Sequence, residues 1–514
     1  MCPCRVGRRR PFLYRTEGTP MIERLRSSRG KLTLTHQIFP LSFGGNAFLP
    51  ARALVPFSVD AGEPAAVAVV KVGDTVREGQ LIARAAHAGA AHAHASVPGV
   101  VTRLVSANFL AGSALRAVEI RTRGSFEHLG KVQPNRPWQH STASELLRLV
   151  TDAGVVATRL HPHAQITSTA TGTHAGAQHT YAKDYGQKRR AEAHTLRLMR
   201  AAWESGNALA THLHLHVRKG VRKLTLYLCD DDATCPLSSF LAQEFPEPVA
   251  TGTAIIARIL DATYTACLHT LPKRSPGLAR MRAVFPFNEM HDAYRRHYPF
   301  SNLCAPRYRA GCTIDALTAV HVYEAVVLSQ PQISSYIALT GAGLKSPQVL
   351  RARIGTPLGA LIEECGGFRT RPGHLIINGL LKGSVLESLD LPFSKGIKSL
   401  HVTGKALSSS ASCTSCQNCG DCARICPVYL DPIKIARAAH RNQFTEEVLQ
   451  SLRICHQCGL CSAACTARIP LAKLLHDAQE RALHLSRAPV TKIEPHSTQS
   501  VGKTIREAPA NAHR

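Results

Sequence analysis

The sequence has no run of about 18 apolar residues, which is the length that a membrane-spanning helix needs. Residues 253–268 come nearest, but Arg258 and Asp261 interrupt them. The N-terminus is basic and no apolar stretch follows it, so no secretory signal peptide is expected, and Met21 is an alternative start to Met1. These absences favour a protein that is soluble or lies on a membrane surface.

Aromatic residues are also scarce, at 5% of the chain, although the formal net charge is +27. The 62 basic residues are scattered and lack the interleaved aromatic side chains that stack on nucleic-acid bases. Nucleic acid is therefore not an expected partner, even though such a charge would attract it. Two explanations stay open: a general bias towards Arg, Ala and His, visible in the 26 histidines, and attraction to an anionic membrane face or to acidic partner subunits.

What the sequence does have is a cluster of cysteines towards its C-terminal end. Nine of the 17 cysteines lie between Cys413 and Cys465. Clustered cysteine in a large chain indicates metal binding in a reducing compartment, so a cytoplasmic protein is expected. Eight of the nine form two runs with the spacing C-x2-C-x2-C-x3-C, which are Cys416, Cys419, Cys422, Cys426 and Cys455, Cys458, Cys461, Cys465.

This spacing is typical of proteins that bind two [4Fe–4S] clusters. Two residues between ligands allow a tight turn to place three thiolates around one cluster, and the fourth thiolate, three residues on, reaches the other cluster. Gly420 and Gly459, beside these ligands, allow backbone amides to approach the cluster sulfur atoms. We therefore predict two ligand sets: the first set is Cys416, Cys419, Cys422 and Cys465, and the second set is Cys455, Cys458, Cys461 and Cys426.

Two alternatives accompany this prediction. Zinc sites usually take their ligands as two separated pairs, not as four thiolates in one short run, so zinc is not favoured. Cys413 offers a shifted frame for the first run, but Pro427 after Cys426 fits the unshifted one, and Cys413 is expected to be a bystander. Helical patterns at 433–452 and 471–485, without a strand pattern, predict a mostly helical module.

Short alternating apolar and polar segments between residues 41 and 122 predict strands. Residues 67–83 and 94–102 look like the two half-motifs of a barrel-sandwich hybrid, the fold of lipoyl and biotinyl carriers. A carrier needs a modifiable lysine in the hairpin between the halves, and residues 84–97 contain none, which predicts a structural or docking barrel. A solvated Ala/His loop is the preferred interpretation of this stretch, and a metal site is the alternative, on His87, His92 and His94.

Residues 140–300 alternate between helix and strand patterns, which predicts a parallel α/β layer. No G-x-G-x-x-G motif follows any of the predicted strands, and residues 161–188 are predicted to form a loop. Strand, glycine turn, strand and short helix over residues 337–367 suggest a β-grasp unit. The other predicted elements are helices at 143–150, 191–204 and 315–328 and buried strands at 223–229 and 254–259.

In this order the motifs resemble the RnfC family, whose members are the C subunits of the Rnf electron-transport complex. The match runs from about residue 41 to residue 476, and it rests on Gly44-Gly45, the barrel segments, the cysteine runs and shorter segments at 320–326, 339–343, 353–357, 391–396 and 469–471. The resemblance implies a peripheral subunit, on the cytoplasmic side of the cell inner membrane, of an oxidoreductase of the translocase class that couples ferredoxin/NADH-type electron transfer to ion transport. It implies as partners other Rnf-type membrane subunits, a ferredoxin or iron–sulfur partner subunit and the membrane surface.

The resemblance also implies FMN and NADH in the α/β domain, bound through a glycine-rich loop and a Glu-Cys-Glu-Pro segment. The corresponding place begins at Asp152-Ala153-Gly154 and continues without the glycine cluster, and residues 167–194 lack the acidic segment. A Tyr-Pro-Gln-Gly-Gly-Glu stretch is replaced at residues 284–289. Bulky side chains obstruct the approach of amides to phosphate or flavin. No residue is therefore assigned to FMN or NADH, no catalytic residue is predicted, and NADH dehydrogenase activity stays open.

The predicted fold class is a multi-domain α+β protein. Its parts are a basic N-terminal extension (1–40), a barrel-sandwich hybrid (41–130), an α/β domain resembling an FMN/NADH-binding domain (140–300), a linker helix with a β-grasp domain, called SLBB in the family (301–400), a mostly helical two-[4Fe–4S] ferredoxin module (406–485) and a disordered tail (486–514). The predicted function is electron transfer within the ion-translocating complex. The alternatives are a scaffold or relay subunit that has lost NADH/FMN chemistry and an iron–sulfur protein that binds nucleic acid.

Overall fold

The structure is a computed structural model of the chain. It describes residues 24–28, 31–35, 41–60, 66–86, 90–108, 114–123, 136–158, 208–268, 282–283, 311–404 and 414–487, apart from residues 219, 221, 229, 231, 233, 382, 387, 388, 427, 428, 456 and 457. The helix predicted at 191–204, the loop predicted at 161–188, His87, Cys413, residues 284–289 and the tail beyond 487 lie outside these ranges. Within the predicted basic extension, Arg24–Ser28 pairs antiparallel with Lys31–Thr35.

The N-terminal barrel is a sandwich of two antiparallel sheets. Their inner faces share a core that includes Val55, Ile82 and Ile120, all almost fully buried. One sheet has the strand order Arg52–Asp60, Ala114–Thr122, Gly99–Asn108 and Thr75–Val76. The other has the order Ala66–Ala68, Leu81–Ala85 and Ala93–His94.

A parallel sheet forms the middle of the chain, as the alternating helix and strand patterns predict. Its strand order is Arg282–Ala283, Tyr264–Leu268, Lys223–Tyr227 and Gly311–Asp315. All three pairings are parallel. The helices of this part are Ala143–Asp152, Leu209–Arg218, Leu237–Glu244, Pro246–Ile259 and Ala316–Val326, with a short 3-10 helix at Trp138–His140.

One strand prediction in this part is wrong. Residues 254–259 form the end of the helix Pro246–Ile259 and not a strand. The β-branched Ile255 and Ile256 favour a strand locally. However, Val249, Ile256 and Ile259 bury one face at helical spacing, and Pro246 stands in the first turn, where proline is tolerated.

A six-stranded mixed sheet contains the predicted β-grasp unit. Its strand order is Ser384–Leu386, Leu375–Ile377, Ser399–Val402, Ser334–Thr340, Gln348–Arg353 and Phe43–Asn46. The short predicted helix is Leu358–Glu364. The strand Phe43–Asn46 pairs parallel with Gln348–Arg353. The first strand of the predicted barrel segment therefore lies in the β-grasp sheet.

In the C-terminal module, residues 414–487 as far as the structure describes them, helices are connected by turns and loops and no strand occurs. The helical pattern at 433–452 is confirmed as two helices, and Thr445 caps the second by accepting from Val448 N. No helix in the described ranges is long and apolar enough to cross a membrane. The helices of the module are Asp421–Ile425, Pro432–His440, Glu446–Ile454, Leu460–Ala463 and Leu471–Arg487.

Candidate metal centre

The two cysteine runs fold into the same local structure. Gly420, directly after Cys419, has a φ of 75° and starts the short helix that carries Cys422. Gly459, directly after Cys458, has a φ of 80° and starts the short helix that carries Cys461. Glycine adopts this left-handed conformation without a steric penalty, so each run turns sharply between its second and third cysteines.

The last cysteine of each run is followed by a second repeated turn. Tyr429 N donates to Cys426 O over 3.2 Å, and Arg468 N donates to Cys465 O over 3.1 Å. The next amide in each turn donates to the cysteine sulfur: Leu430 N lies 3.3 Å from Cys426 Sγ, and Ile469 N lies 3.4 Å from Cys465 Sγ. The main chain of both turns thus places an N–H group against a sulfur atom, as it does at Asn418 N and Cys416 Sγ, 3.4 Å apart.

The packing brings cysteines of the two runs together. Burial raises the pKa of the Cys422 thiol, and the neighbouring Cys465 raises it further. Burial also raises the pKa of the Cys461 thiol, with further increases from Cys458, Cys455 and Cys426.

Each group of neighbours belongs to one predicted set. The first set contains both Cys422 and Cys465, and the second set contains Cys461, Cys458, Cys455 and Cys426. Cys419 is placed beside the end of the second run, because its Sγ lies 3.8 Å from Thr466 Oγ1. All eight cysteines are free of disulfides.

In the part of the chain that the structure describes, no three His, Cys, Asp or Glu side chains converge as they would on one ion. In a [4Fe–4S] cluster, by contrast, each of four thiolates ligates a different iron atom, so the thiolates surround the cluster instead of converging on a point.

The two sets differ in exposure. In the second set, Cys426, Cys458 and Cys461 are only 7–8% exposed. In the first set, Cys419 is exposed and Cys416 is partly exposed.

A loop of the β-grasp domain covers the second set. Leu381 packs with Cys458 and Leu460, and a Cβ atom on Gly459 would collide with the carbonyl oxygen of Leu381. On its other side the same loop is held by the α/β domain, because Leu381 N donates to Asp232 Oδ2 over 2.7 Å. The cysteine module is thereby tied to the rest of the protein at its second set.

The loop at residues 152–158 corresponds to the place where the family resemblance implies a flavin or nucleotide site. Its amides already have partners in the chain: Gly154 N donates to Thr151 O and Val155 N donates to Val150 O. Val156 N donates to the side chain of Gln332 over 3.1 Å, and Thr158 N donates to the side chain of Thr318 over 3.2 Å.

The side chain of a buried lysine contacts the same loop. Lys395 Nζ donates to Gly154 O over 2.7 Å and to His92 O over 3.1 Å. Burial lowers the pKa of Lys395 to about 7. This side chain connects the β-grasp domain to the α/β loop and to the barrel.

A second buried lysine lies at the carboxyl ends of the parallel strands, which is where open α/β sheets usually bind ligands. Lys398 Nζ lies 2.6 Å from Asp315 Oδ2 and 3.2 Å from Asp230 Oδ1. Burial alone would raise the pKa of Asp315, but the charge of Lys398 and hydrogen bonds from Lys398, Thr158 and Thr318 hold it well below its usual range. An ion-pair network within the chain therefore occupies these strand ends.

The histidines of the barrel do not form a solvated loop, so that prediction is wrong for the described residues. His94 is 7% exposed, and burial lowers its pKa to about 3. His92 Nδ1 accepts from Ala85 N over 3.1 Å. Alternation does not signal the burial of His94, because both residues of its strand, Ala93 and His94, are buried.

The sequence did not reveal the lysines and the covering loop. Lys395 and Lys398 lie in or just after the segment 391–396 that resembles the family, but nothing in that segment indicates where either amino group points. Leu381 and Asp232 are ordinary loop residues whose role depends on contacts across the chain.

Fold and site together define a multi-domain α+β protein that combines a barrel-sandwich hybrid, a parallel α/β sheet, a β-grasp unit and a helical cysteine module. Two of these parts match known domain families. Residues 45–125 match the RnfC barrel sandwich hybrid domain, and residues 336–376 match the SLBB domain. The prediction of a multi-domain α+β protein with these two domains is confirmed.

The chain is similar to the C subunits of ion-translocating complexes. It is 31% identical, over 127 residues, to the C subunit of the Na(+)-translocating ferredoxin:NAD(+) oxidoreductase complex of Acetobacterium woodii, a match that covers 25% of this chain and 29% of that relative. It is 24% identical, over 420 residues, to the C subunit of the ion-translocating oxidoreductase complex of Rhodobacter capsulatus, covering 76% of this chain and 70% of that relative. The resemblance to the RnfC family is therefore confirmed.

A solved structure also aligns with the chain. It is that of the NAD+-reducing [NiFe]-hydrogenase in the air-oxidized state, with 12% identity and a TM-score of 0.41, covering 70% of this chain and 72% of the solved chain. A similarity of this size supports no conclusion about this chain.

Proposed function

We propose that the protein is an electron-transfer subunit of a membrane-associated oxidoreductase complex that couples electron transfer of the ferredoxin/NADH type to ion translocation. The relatives named above are the C subunits of such complexes. The observation that carries the proposal is the repeated turn at the two cysteine runs, which supports two similar redox centres in one module.

The residues fit a pair of [4Fe–4S] clusters. Cys416, Cys419, Cys422 and Cys465 would hold one cluster, and Cys455, Cys458, Cys461 and Cys426 would hold the other. When bound, each cluster accepts and releases a single electron. The amides of Asn418, Leu430 and Ile469 donate to cysteine sulfur atoms, and such hydrogen bonds stabilise the extra negative charge of the reduced state.

The surrounding chain gives the two centres different environments. Leu381 packs against the second set, whereas in the described part of the chain the first set is open to solvent at Cys419. Burial and solvent exposure both tune cluster potentials, so we expect the two centres to have different potentials.

FMN and NADH do not fit the described part of the loop at residues 152–158. Its glycine amide and three of the following amides are bonded within the chain, so they have no capacity to bind phosphate or flavin. This observation favours the second candidate function, which is a relay or scaffold subunit of the same complex that has lost NADH/FMN chemistry. No reaction step is assigned to either group.

We propose a peripheral position on the cytoplasmic side of the inner membrane, held by other Rnf-type membrane subunits. A ferredoxin or an iron–sulfur partner subunit would exchange electrons with the clusters. The formal net charge of +27 supports attraction to an anionic membrane face or to acidic subunits. Nucleic acid is not proposed as a partner.

The test is to purify the full chain without oxygen and to measure its iron, acid-labile sulfide, flavin and electron paramagnetic resonance (EPR) spectrum. The proposal expects two [4Fe–4S] signals on reduction; a protein that binds zinc instead of iron would refute it. NADH oxidation by protein with bound FMN would refute the second candidate and leave the first. Copurification of membrane subunits from the native host tests the proposed assembly.

A further inference from the structure

The first set of cysteines lies at an open surface bordered by three arginines. We propose that this surface, which we call the arginine rim and define as Arg424, Arg437 and Arg468, is the docking site for an acidic electron-carrier protein that exchanges electrons with the first set. The inference rests on the proposed function, because it requires a cluster at these cysteines.

The repeated turns provide an internal comparison of the two sets. Gly420 and Gly459 occupy the same place in their runs and have nearly the same φ. A Cβ atom on Gly459 would collide with Leu381, but one on Gly420 would meet only the end of the Arg424 side chain, at 3.9 Å. Among the residues that the structure describes, the protein therefore covers one turn and leaves the other accessible to a partner.

The three arginines come from different elements and meet around the first set. Arg424 Nη2 donates to Cys419 O over 3.0 Å, and Arg437 Nη2 donates to Asn418 Oδ1 over 3.2 Å. Arg468 stands three residues after Cys465, in the turn that holds the sulfur of Cys465. All three side chains are exposed.

The arginines of the rim are not repeated at the equivalent positions of the other cysteine run. In the second run, Ala463 takes the place of Arg424, since each stands two residues before the last cysteine. Tyr429 takes the place of Arg468, since each stands three residues after the last cysteine. The cationic side chains thus occur where a partner has access.

Acidic side chains near the first set reduce the positive charge without cancelling it. Asp421 forms an ion pair with Arg424, and its side chain is 17% exposed. Asp431 accepts from Lys434 N at the start of a helix. Lys434 adds no surplus charge, because its Nζ pairs with Glu447 Oε1 over 3.4 Å. Three guanidinium groups remain against the two carboxylates of Asp421 and Asp431, and the Arg424 side chain extends farther into solvent than that of Asp421.

An acidic redox protein fits this surface for two reasons. Guanidinium groups bind carboxylates with paired hydrogen bonds, and opposite charges steer the encounter of two proteins. In the exchange, one electron passes from the reduced carrier to the oxidised first-set cluster, or in the opposite direction, and no bond is made or broken. Docking at the rim brings the carrier next to Cys419, the exposed cysteine of the first set.

The experiment measures binding of a purified two-[4Fe–4S] ferredoxin of net negative charge to the full-length, cluster-containing protein, at low and at high salt. We expect the affinity to fall with salt, and Arg424→Glu or Arg437→Glu to weaken binding about tenfold or more at low salt. Arg424→Gln, which adds no negative charge, should weaken it less. EPR spectra of all variants check that both clusters are present.

The matched control is Arg148→Glu, because Arg148 is an exposed helical arginine that also pairs with an acidic residue, Asp152. It should bind ferredoxin like the unchanged protein. The proposal is overturned if the unchanged protein with both clusters does not bind ferredoxin, if the rim variants bind as well as the control, or if duplex DNA competes at physiological salt through the same arginines. Absence of the clusters from the unchanged protein would instead refute the proposed function.

Discussion

Main-chain amides have different hydrogen-bond acceptors in the loop at residues 152–158 and in the two cysteine turns. In the loop, the amides of Gly154, Val156 and Thr158 donate to oxygen atoms of the chain. In the turns, the amides of Leu430 and Ile469 donate to cysteine sulfur. Both places resemble cofactor sites of the same family, but only the turns direct their amides at atoms that would ligate a cofactor.

The difference is what we expect under the second candidate function, in which NADH/FMN chemistry is lost and the fold is kept. A loop that no longer binds a ligand must satisfy its buried amides in another way, since unpaired buried polar groups are costly. Here Gln332 and Thr318 supply the acceptors, and Lys395 supplies a donor to the carbonyl of Gly154.

The comparison is tested most strongly at the cysteines. Cys458→Ser should remove one of the two [4Fe–4S] EPR signals and about half of the iron, because serine replaces a thiolate ligand. Cys419→Ser should remove the other signal. Cys413→Ser is the control and should change neither; an unchanged spectrum in both ligand variants would contradict the assignment.

The buried ion pair of the α/β domain should give the next largest effect. Asp315→Asn leaves Lys398 buried with less opposite charge, and we expect the free energy of unfolding to fall by about 3–5 kcal/mol. Because the pKa of Asp315 is held well below its usual range, its contribution is present above the pKa of an unfolded aspartate and is lost as the pH falls. Urea unfolding between pH 3 and pH 7 measures the change, and the exposed Asp152→Asn is the control.

Substitution of Gly420 and of Gly459 by alanine compares the open cysteine turn with the covered one. Gly420→Ala should cost about 1–2 kcal/mol of stability, because a left-handed conformation is unfavourable for alanine. Gly459→Ala should cost about 1–3 kcal/mol more, because its Cβ atom also meets the Leu381 backbone. Thermal unfolding of the iron-loaded proteins measures both, and equal losses would show that Leu381 does not cover the second set.

Lys395 gives an effect of a different kind, which is a slope of stability against pH. Burial lowers its pKa from 10.5 to about 7, so between these values the unfolded chain binds more protons than the folded one. This group therefore makes the free energy of unfolding rise by about 1.4 kcal/mol per pH unit across that window.

Lys395→Met should remove that part of the slope. Urea unfolding at pH 6, 8 and 10 provides the measurement, and the exposed Lys473→Met should keep the slope of the unchanged protein. A Lys395→Met variant with an unaltered slope would show that the ammonium group is not buried against Gly154 O and His92 O.

The sequence predicts the cysteine module well, because its information is local. The spacing of the runs predicts which cysteines become neighbours, and the structure brings Cys465 to Cys422 and Cys426 to Cys461. The ligand role of these residues stays a prediction. The parallel sheet and the helix Ala316–Val326 also follow from local patterns.

The rest depends on contacts between residues far apart in the chain, which local patterns do not contain. The end of the helix Pro246–Ile259 is predicted as a strand because Ile255 and Ile256 are β-branched, although the period of its buried face is helical. The positions of Lys395 and Lys398 follow from the packing of the β-grasp unit on the other domains. No spacing rule predicts that Leu381 covers Gly459.

The parallel pairing of Phe43–Asn46 with Gln348–Arg353 has a consequence for how the protein is made. The partner strand is synthesised roughly 300 residues after Phe43, which at ribosomal rates is a delay on the order of 15–60 s. During that time Phe43–Asn46 has no partner strand, because all the other strands of the six-stranded sheet lie between residues 334 and 402. Closing so long a loop is a slow step, so we expect this edge to be among the last parts of the protein to fold.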